Sequence, residues 1–427
     1  MLFRSFFFIA LLLASFAGAD RPNLVLLSVD TLRADFLGCY GGEWDITPNI
    51  DALAEESLLF EDAQCETPLT GPSFAAMFTS RYPRMVGAMR NGMRVTDDVT
   101  LVAEHIRDAG YHTFAAQSNW TLRGRLSGLD RGFAVYDESF EQRRWGILKG
   151  ERRAEDLAKT ALHLLAERPE DKPFFAWIHF TDPHAPYRHR RGFGPGVRNI
   201  YRMEREERVR VRYASEVAYT DHYIGKILEA LPDNTLILFV ADHGESLYEH
   251  GYLGHGRNIH QPSMHVPLMV RAPQALPGRS GAPVQTLDVG PTLLGLLGLP
   301  PLPGMLGRDI VNEEIPDDRP RFMETYGGAV PRIPGAKQFL RETSPLYQAV
   351  IQNGYKLIRP ANRPSMLFYL PDDPGEDRNI IARNQALHGE LNALLDLWEE
   401  THPRGTENVV DLTDEDMQAL ESLGYMN

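Results

Sequence analysis

Residues 23–30 read NLVLLSVD: a run of Leu and Val broken only by Ser28 and closed by Asp30. An apolar run of strand length without alternation predicts a strand buried on both faces. Two later stretches repeat the design. FFAWIHF leads into Thr181-Asp182-Pro183-His184, and TLILFVA leads into Asp242-His243-Gly244-Glu245. Helices are expected between such strands at 48–56 (with Thr47 as N-cap), 99–109, 154–167 and 214–231, and further strands at 112–116 and 173–180. This alternation predicts an α/β fold, a mostly parallel central sheet covered by helices on both faces in an α/β/α sandwich. In such sheets ligands bind beyond the carboxyl ends of the strands, where all three polar clusters fall.

Beyond residue 331 the texture changes. Short strands at 348–352, 355–359 and 365–370 read as a meander, and a helix is expected at 384–401. The expected organisation is therefore a catalytic domain over 20–330 and a small C-terminal α+β subdomain over 331–427. Residues 1–19 read as a secretory signal peptide: Arg4, an apolar run over 5–14, then Ala17-Gly18-Ala19. That run is too short to span a bilayer comfortably, so the chain is expected to be exported, periplasmic or secreted, with no transmembrane segment once mature.

Lys and Arg total 44 and Asp and Glu 58, a net charge of -14. A chain this acidic is not expected to bind nucleic acid, which selects basic surfaces. An anionic small substrate stays possible, because a bound divalent cation reverses the local sign. The two cysteines, Cys39 and Cys65, are permitted to bridge by export, but their spacing does not show that they meet.

Asp30, Asp182, Asp242, His179, His184, His243 and His255 are more chemistry than fold upkeep requires, and together they predict a divalent metal site. Carboxylates favour calcium or magnesium. The imidazoles pull toward zinc or manganese. The identity of the ion stays open. A further segment, Thr67-Pro68-Leu69-Thr70-Gly71-Pro72-Ser73, places Thr70 at a helix N-terminus, with Pro72 expected at the first helical position and Gly71 allowing close backbone approach. A metal-bound hydroxyl at an anion-attracting helix end suits a nucleophile toward a tetrahedral ester.

In this order the pieces RPNLVLLSVDTLRADFLGCYG, PLTGPSFAAMFTSRYP, HFTDPHAPY, ADHGESLYEHGYLGHG, GYKLIRP and LFYLPDDPGEDRNI resemble the sulfatase family of the alkaline phosphatase superfamily, over about residues 21–427. The resemblance implies a metal-dependent ester hydrolase with an alkaline-phosphatase-like sandwich. It also exposes departures. The family's formylglycine Cys or Ser aligns with Thr70 and its signature Arg with Phe74, so no formylglycine is expected. The family's second Asp after the first strand aligns with Thr31. Its Asp-Asn metal pair appears as Asp242-His243, and its sulfate-gripping Lys-Trp-His as Asn119-Trp120-Thr121.

The resemblance then implies Thr70 as nucleophile and metal ligand, with Asp30, Asp242 and His243 on the same ion and Thr31 as a second-sphere or direct oxygen. His184 and His255 would contact the anion or protonate the leaving group. Asn119, His179 and Asp182 would face substrate, although His179 suits a core position equally. A second metal, if present, would take Asp182, His184 and His255. The expected substrate is a sulfate, phosphate or phosphonate ester, of a small molecule or of a glycan or lipid. Two rival expectations follow from the departures: a degenerate chain that only binds an anion, and a phosphoryl transferase.

Overall fold

The computed structural model describes residues 21–140, 143–144, 147–148, 152–197, 199–327 and 345–422. The segment expected to be a signal peptide lies outside the described residues.

The central sheet has eight strands: β1 (Asn23–Val29), β2 (Leu58–Phe60), β3 (His112–Gln117), β4 (Val135–Asp137), β5 (Phe174–Phe180), β6 (Thr235–Ala241), β7 (Leu268–Arg271) and β8 (Gly278–Ser280). Their spatial order is β8-β2-β7-β6-β1-β5-β3-β4, and β7 alone runs against the rest. The unalternated runs of β1, β5 and β6 are buried along their whole length. They sit side by side with β1 in the middle, Ser28 level with His179 on one side and Val240 on the other. Three neighbouring parallel strands thus end together, and the polar residues that follow them share one edge.

Two groups of helices cover the sheet. α1 (Pro48–Glu55), α4 (Ala154–Glu167) and α5 (Arg205–Ala230) pack with one another, and so do α2 (Thr70–Thr79), α3 (Val102–Asp108) and α6 (Val289–Leu296). α5 starts nine residues before its expected beginning. Its first turns are Arg and Glu with little apolar periodicity, so the pattern hid them, while Glu206 and Glu207 favour the helix N-terminus through its dipole. α2 also starts early, at Thr70, and Pro72 is its third residue instead of its first. Proline is tolerated there because the N–H groups of a first turn have no intrahelical acceptor.

A separate antiparallel sheet follows: β9 (Arg321–Thr325), β10 (Tyr347–Gln352), β11 (Tyr355–Pro360) and β12 (Met366–Tyr369), in that spatial order, backed by α7 (Gln385–Thr401). β9 precedes the change of texture at 331. Lys356 on β11 is wholly buried, and its Nζ donates to the carbonyl of Ile259 at 2.6 Å and lies 2.8 Å from Glu376 Oε1. Glu376 in turn accepts from the backbone N of Gln261 at 2.6 Å. One ion pair therefore ties the small sheet to the large α/β unit at residues 259–261. No helix among the described residues is long and apolar enough to cross a membrane.

Candidate active site

Asp30 follows β1 and Asp242-His243 follows β6, and adjacent parallel strands bring them together in complete burial. Each aspartate has one oxygen held and one left over. Asp242 Oδ1 accepts from the backbone N of Thr31 at 3.1 Å and of His243 at 2.8 Å. Asp30 Oδ2 accepts from Asn119 Nδ2. The second oxygens, Asp30 Oδ1 and Asp242 Oδ2, are buried and accept no hydrogen bond. They lie 3.9 and 3.6 Å from His243 Nε2, and one ligand atom from each of the three residues falls within 4.8 Å of the others.

Two buried carboxylate oxygens without donors are costly unless a cation faces them, so the residues present fit a divalent metal. The electrostatics agree. Burial, then the charge of Asp30, pushes the Asp242 carboxyl well above the usual carboxylate range. Burial would raise Asp30 too, but its contact with His179 and the charges of His184 and His243 outweigh that and hold it low. His243 is pushed down to about 3, chiefly by burial and then by His255, and so stays a neutral ligand.

Thr70 opens α2, with its Oγ1 3.4 Å from His243 Nε2. Ser73 Oγ donates to the carbonyl of Asp242 at 2.7 Å, fixing the helix start against the β6 edge. The helix end is less open to an anion than the sequence implies. Gly71 N donates to Asn91 Oδ1 at 2.8 Å, Pro72 has no N–H, and Ser73 N donates to the carbonyl of Leu69 at 2.9 Å. A side chain at position 71 would crowd this contact, since a Cβ would stand 3.0 Å from Asn91 Oδ1.

Three imidazoles gather beside this centre, with ring centroids 4.5 Å apart for His243 and His255 and 5.1 Å for His184 and His255. In each, Nδ1 faces a group that can only accept: the carbonyl of Gly244 at 2.9 Å, Glu245 Oε1 at 3.1 Å and the carbonyl of Ala185 at 2.7 Å. The proton of the neutral ring therefore sits on Nδ1, which makes Nε2 the nitrogen that carries the lone pair.

The three residues expected to face substrate hold other positions. Asn119 holds Asp30 and accepts from the backbone N and the hydroxyl of Thr121, both at 2.9 Å. His179 Nδ1 meets Ser28 Oγ at 3.0 Å and its ring stands edge-on to Phe74, 4.7 Å between centroids, so it buttresses Asp30 from the core side. Asp182 is committed to the fold: Oδ1 accepts from Arg190 Nη2 at 2.7 Å, and Oδ2 accepts from the backbone N of Ala154, the first residue of α4, at 2.6 Å. That argues against Asp182 as a ligand of a second metal. Arg190 also pairs with Glu216, so this part of the Arg-rich stretch is no solvated run. Thr31 serves Asp242 through its backbone N–H, while its hydroxyl donates to the carbonyl of Asp30 at 2.8 Å.

Two residues join the site that sequence reasoning did not assign. Asn91 has its Oδ1 on Gly71, while its Nδ2 is buried without an acceptor; it is an amide donor beside the helix that Thr70 opens. Glu245 is wholly buried and holds His255. Glu245 was visible in the cluster after β6, but Asn91-Gly92 reads only as a turn. Cys39 and Cys65 are both free, Cys65 being buried beside the carbonyl of Ser263.

Comparison with known proteins follows the same outline. A family model described as Sulfatase matches residues 22–299. An ulvan-active sulfatase of Formosa agariphila is 28% identical over 429 residues, covering 88% of this chain and 80% of that protein. A choline-sulfatase of Rhizobium meliloti is 26% identical, covering 84% and 82%. Among solved structures, a phosphonate monoester hydrolase of Agrobacterium radiobacter superposes with a TM-score of 0.71 at 22% identity, covering 92% of this chain and 99% of that one.

Proposed function

Because the chain belongs to the sulfatase family of the alkaline phosphatase superfamily, we propose that it is an exported, metal-dependent hydrolase of sulfate, phosphate or phosphonate esters with Thr70 as nucleophile. The observation that carries this reading is the pair of donorless oxygens on Asp30 and Asp242, facing His243 Nε2, with Thr70 Oγ1 3.4 Å from the same nitrogen. Asp30, Asp242 and His243 would hold the divalent cation, which when bound supplies positive charge to lower the pKa of an oxygen and offset the charge of the ester.

The rest is done by the chain. Thr70 Oγ forms a bond to sulfur or phosphorus as the bond from that centre to the alcohol oxygen breaks. The Thr70 proton passes to the Nε2 of His184 or His255, the latter held in line by Glu245, and that nitrogen hands it to the departing alcohol. Asn91 Nδ2 donates to a non-bridging oxygen. Water then attacks the same centre, the bond from that centre to Thr70 Oγ breaks, one proton of the water goes to Thr70, and the anion is released.

Thr70 also bears on which ester is cleaved. A hydrated aldehyde expels sulfate by collapsing to the carbonyl, with cleavage of the C–O bond. A threonine ester has no such exit and must be attacked at its central atom, a route phosphorus accepts more readily. With Phe74 where the family has its signature Arg, the site leans toward phosphorus. The test is turnover of matched aryl sulfate, phosphate monoester, phosphate diester and phosphonate ester, each with calcium, magnesium, manganese and zinc. Turnover of none of them by folded, metal-loaded protein would leave the anion-binding reading in its place.

A further inference from the structure

Beyond α7 the chain returns to the large unit as an arm. Gly405 N donates to the carbonyl of Arg84 at 2.8 Å, and Arg94 N donates to the carbonyl of Asn408 at 3.0 Å. Val409 pairs antiparallel with Met93, so the arm borders the turn that carries Asn91. It then forms a helix, α8 (Asp414–Ser422). Thr413 and Asp416 start that helix as a capping box. Asp416 N donates to Thr413 Oγ1 at 3.2 Å, and Asp416 Oδ2 accepts from Thr413 N at 2.7 Å.

A capping box uses one oxygen of its carboxylate. The other oxygen of Asp416 has a different task. Oδ1 accepts from the indole Nε1 of Trp120 at 3.1 Å, 296 residues away in the chain. Both side chains are buried, and Ala419 and Leu420 of α8 pack on Trp120 and Leu126. Arg125 pairs with Oδ2 and keeps the carboxylate charged in this position.

Trp120 in turn leads to the metal centre. It opens a 3-10 turn, Trp120–Leu122, whose N-cap is Asn119. Asn119 Oδ1 is spent on that turn, accepting from the backbone N and the hydroxyl of Thr121. This aims Nδ2 at Asp30 Oδ2, and the contact decides which oxygen of Asp30 is left for a cation. The line of contacts is unbroken from Asp416 through Trp120 and Asn119 to Asp30.

We propose that Asp416 is a positioning residue of the metal site. By holding Trp120 it fixes the turn over 119–121, and through Asn119 it sets the orientation of Asp30. The inference rests on Asp30 as a metal ligand in the reading above, and not on which ester is cleaved.

The test is calorimetric titration of the full chain, stripped by chelation, with calcium, magnesium, manganese and zinc in turn. Asp416→Ala should weaken the tightest-binding ion by about tenfold, the scale of loss when an outer partner of a ligand is removed. Trp120→Phe removes the Nε1 donor and keeps an aromatic ring, and it should weaken the same ion. In an Asn119→Ala background, where the line is already cut, adding either change should cost nothing more. General loosening of the fold would instead give losses that add. Gln418→Ala, an exposed position on α8, should leave the Kd unchanged. Circular dichroism checks each variant; if Asp416→Ala does not fold, Trp120→Phe and its combination with Asn119→Ala decide the matter. The inference is overturned if the folded variants bind the ion as tightly as the parent, if their losses add to that of Asn119→Ala, if Gln418→Ala weakens binding equally, or if the parent binds no ion. Ion binding with the expected coupling, but no turnover of any ester in the panel, would leave the positioning role standing and the hydrolase reading failed.

Discussion

Thr70 Oγ1 and His243 Nε2 face each other across 3.4 Å, and the proton of the neutral His243 ring is fixed on Nδ1 by the carbonyl of Gly244. The hydroxyl thus meets the lone pair of a nitrogen that burial keeps uncharged. Replacing Thr70 by Ala should cost about a thousandfold or more in kcat, as when a nucleophile that acts as part of a unit is deleted. Thr70→Ser should retain part of the activity. Thr70→Ala turning over every substrate as fast as the parent would reduce Thr70 to the start of a helix.

Asn91 makes a separable prediction. Its Oδ1 is spent on Gly71 and its Nδ2 has no acceptor in the protein. If Nδ2 donates to the charge that develops in the transition state, Asn91→Ala should lower kcat by about a hundredfold to a thousandfold, the usual loss for one such donor. Circular dichroism and thermal unfolding of the same variant should show the fold retained. A change confined to stability would mean that Asn91 serves only the helix start.

Glu245 acts through another residue. It holds His255 Nδ1 at 3.1 Å, so Glu245→Gln keeps the volume while weakening the hold on the ring. The expected result is a fall in kcat with KM little changed, larger for esters of poor leaving alcohols than for a nitrophenyl ester, because only the former need a proton on departure. An equal loss on both classes would assign Glu245 a purely structural role.

Metal removal should be visible without any substrate. The donorless oxygens of Asp30 and Asp242 mean that the folded, metal-free protein carries an uncompensated buried pair. Adding a divalent ion at a hundred times its Kd should stabilise the protein by about 2.7 kcal/mol by mass action alone. Chelation should reverse the rise in Tm, and Asp242→Asn should blunt it. A Tm indifferent to every divalent ion would contradict the metal assignment.

Much of this was legible in the sequence for a physical reason. β1, β5 and β6 are buried on both faces, so each is one unbroken apolar run, and parallel neighbours must deliver the residues that follow to one edge. That is how Asp30, Asp242 and His243 could be grouped from the order of residues alone. The finer assignments depend on which atom of a side chain is already occupied, and spacing says nothing about that. Asp182 reads as a candidate ligand until Arg190 and the N-terminus of α4 take both its oxygens. Asn119 reads as a substrate contact until its amide is found on Asp30. Asn91 sits in a turn that any loop could carry.

A pH prediction concerns the ion pair between Lys356 and Glu376. Burial would raise the Glu376 carboxyl, but Lys356 and the hydrogen bond with His260 lower it to about 2 from an ordinary 4.5. A carboxyl lowered on folding contributes stability above pH 4.5, and that contribution is lost as pH falls from 4.5 toward 2. Its size is on the order of 3 kcal/mol, at 1.36 kcal/mol per pH unit. Lys356→Met should cost about 3–5 kcal/mol at neutral pH, by leaving a buried charge alone. It should also flatten the loss between pH 4.5 and 2, measurable by urea unfolding at several pH values. A variant with the parent's acid profile would show that the pair does not set it.

The same pair has a consequence for how this chain can be cut and recombined. Lys356 reaches across to the carbonyl of Ile259, and Glu376 to the backbone of Gln261, four and six residues from His255. A chain truncated before the small sheet would lose the anchors of that loop. The C-terminal unit is therefore no detachable accessory. In grafting experiments between relatives, the small sheet and the stretch from His255 to Gln261 should travel together as one inherited block.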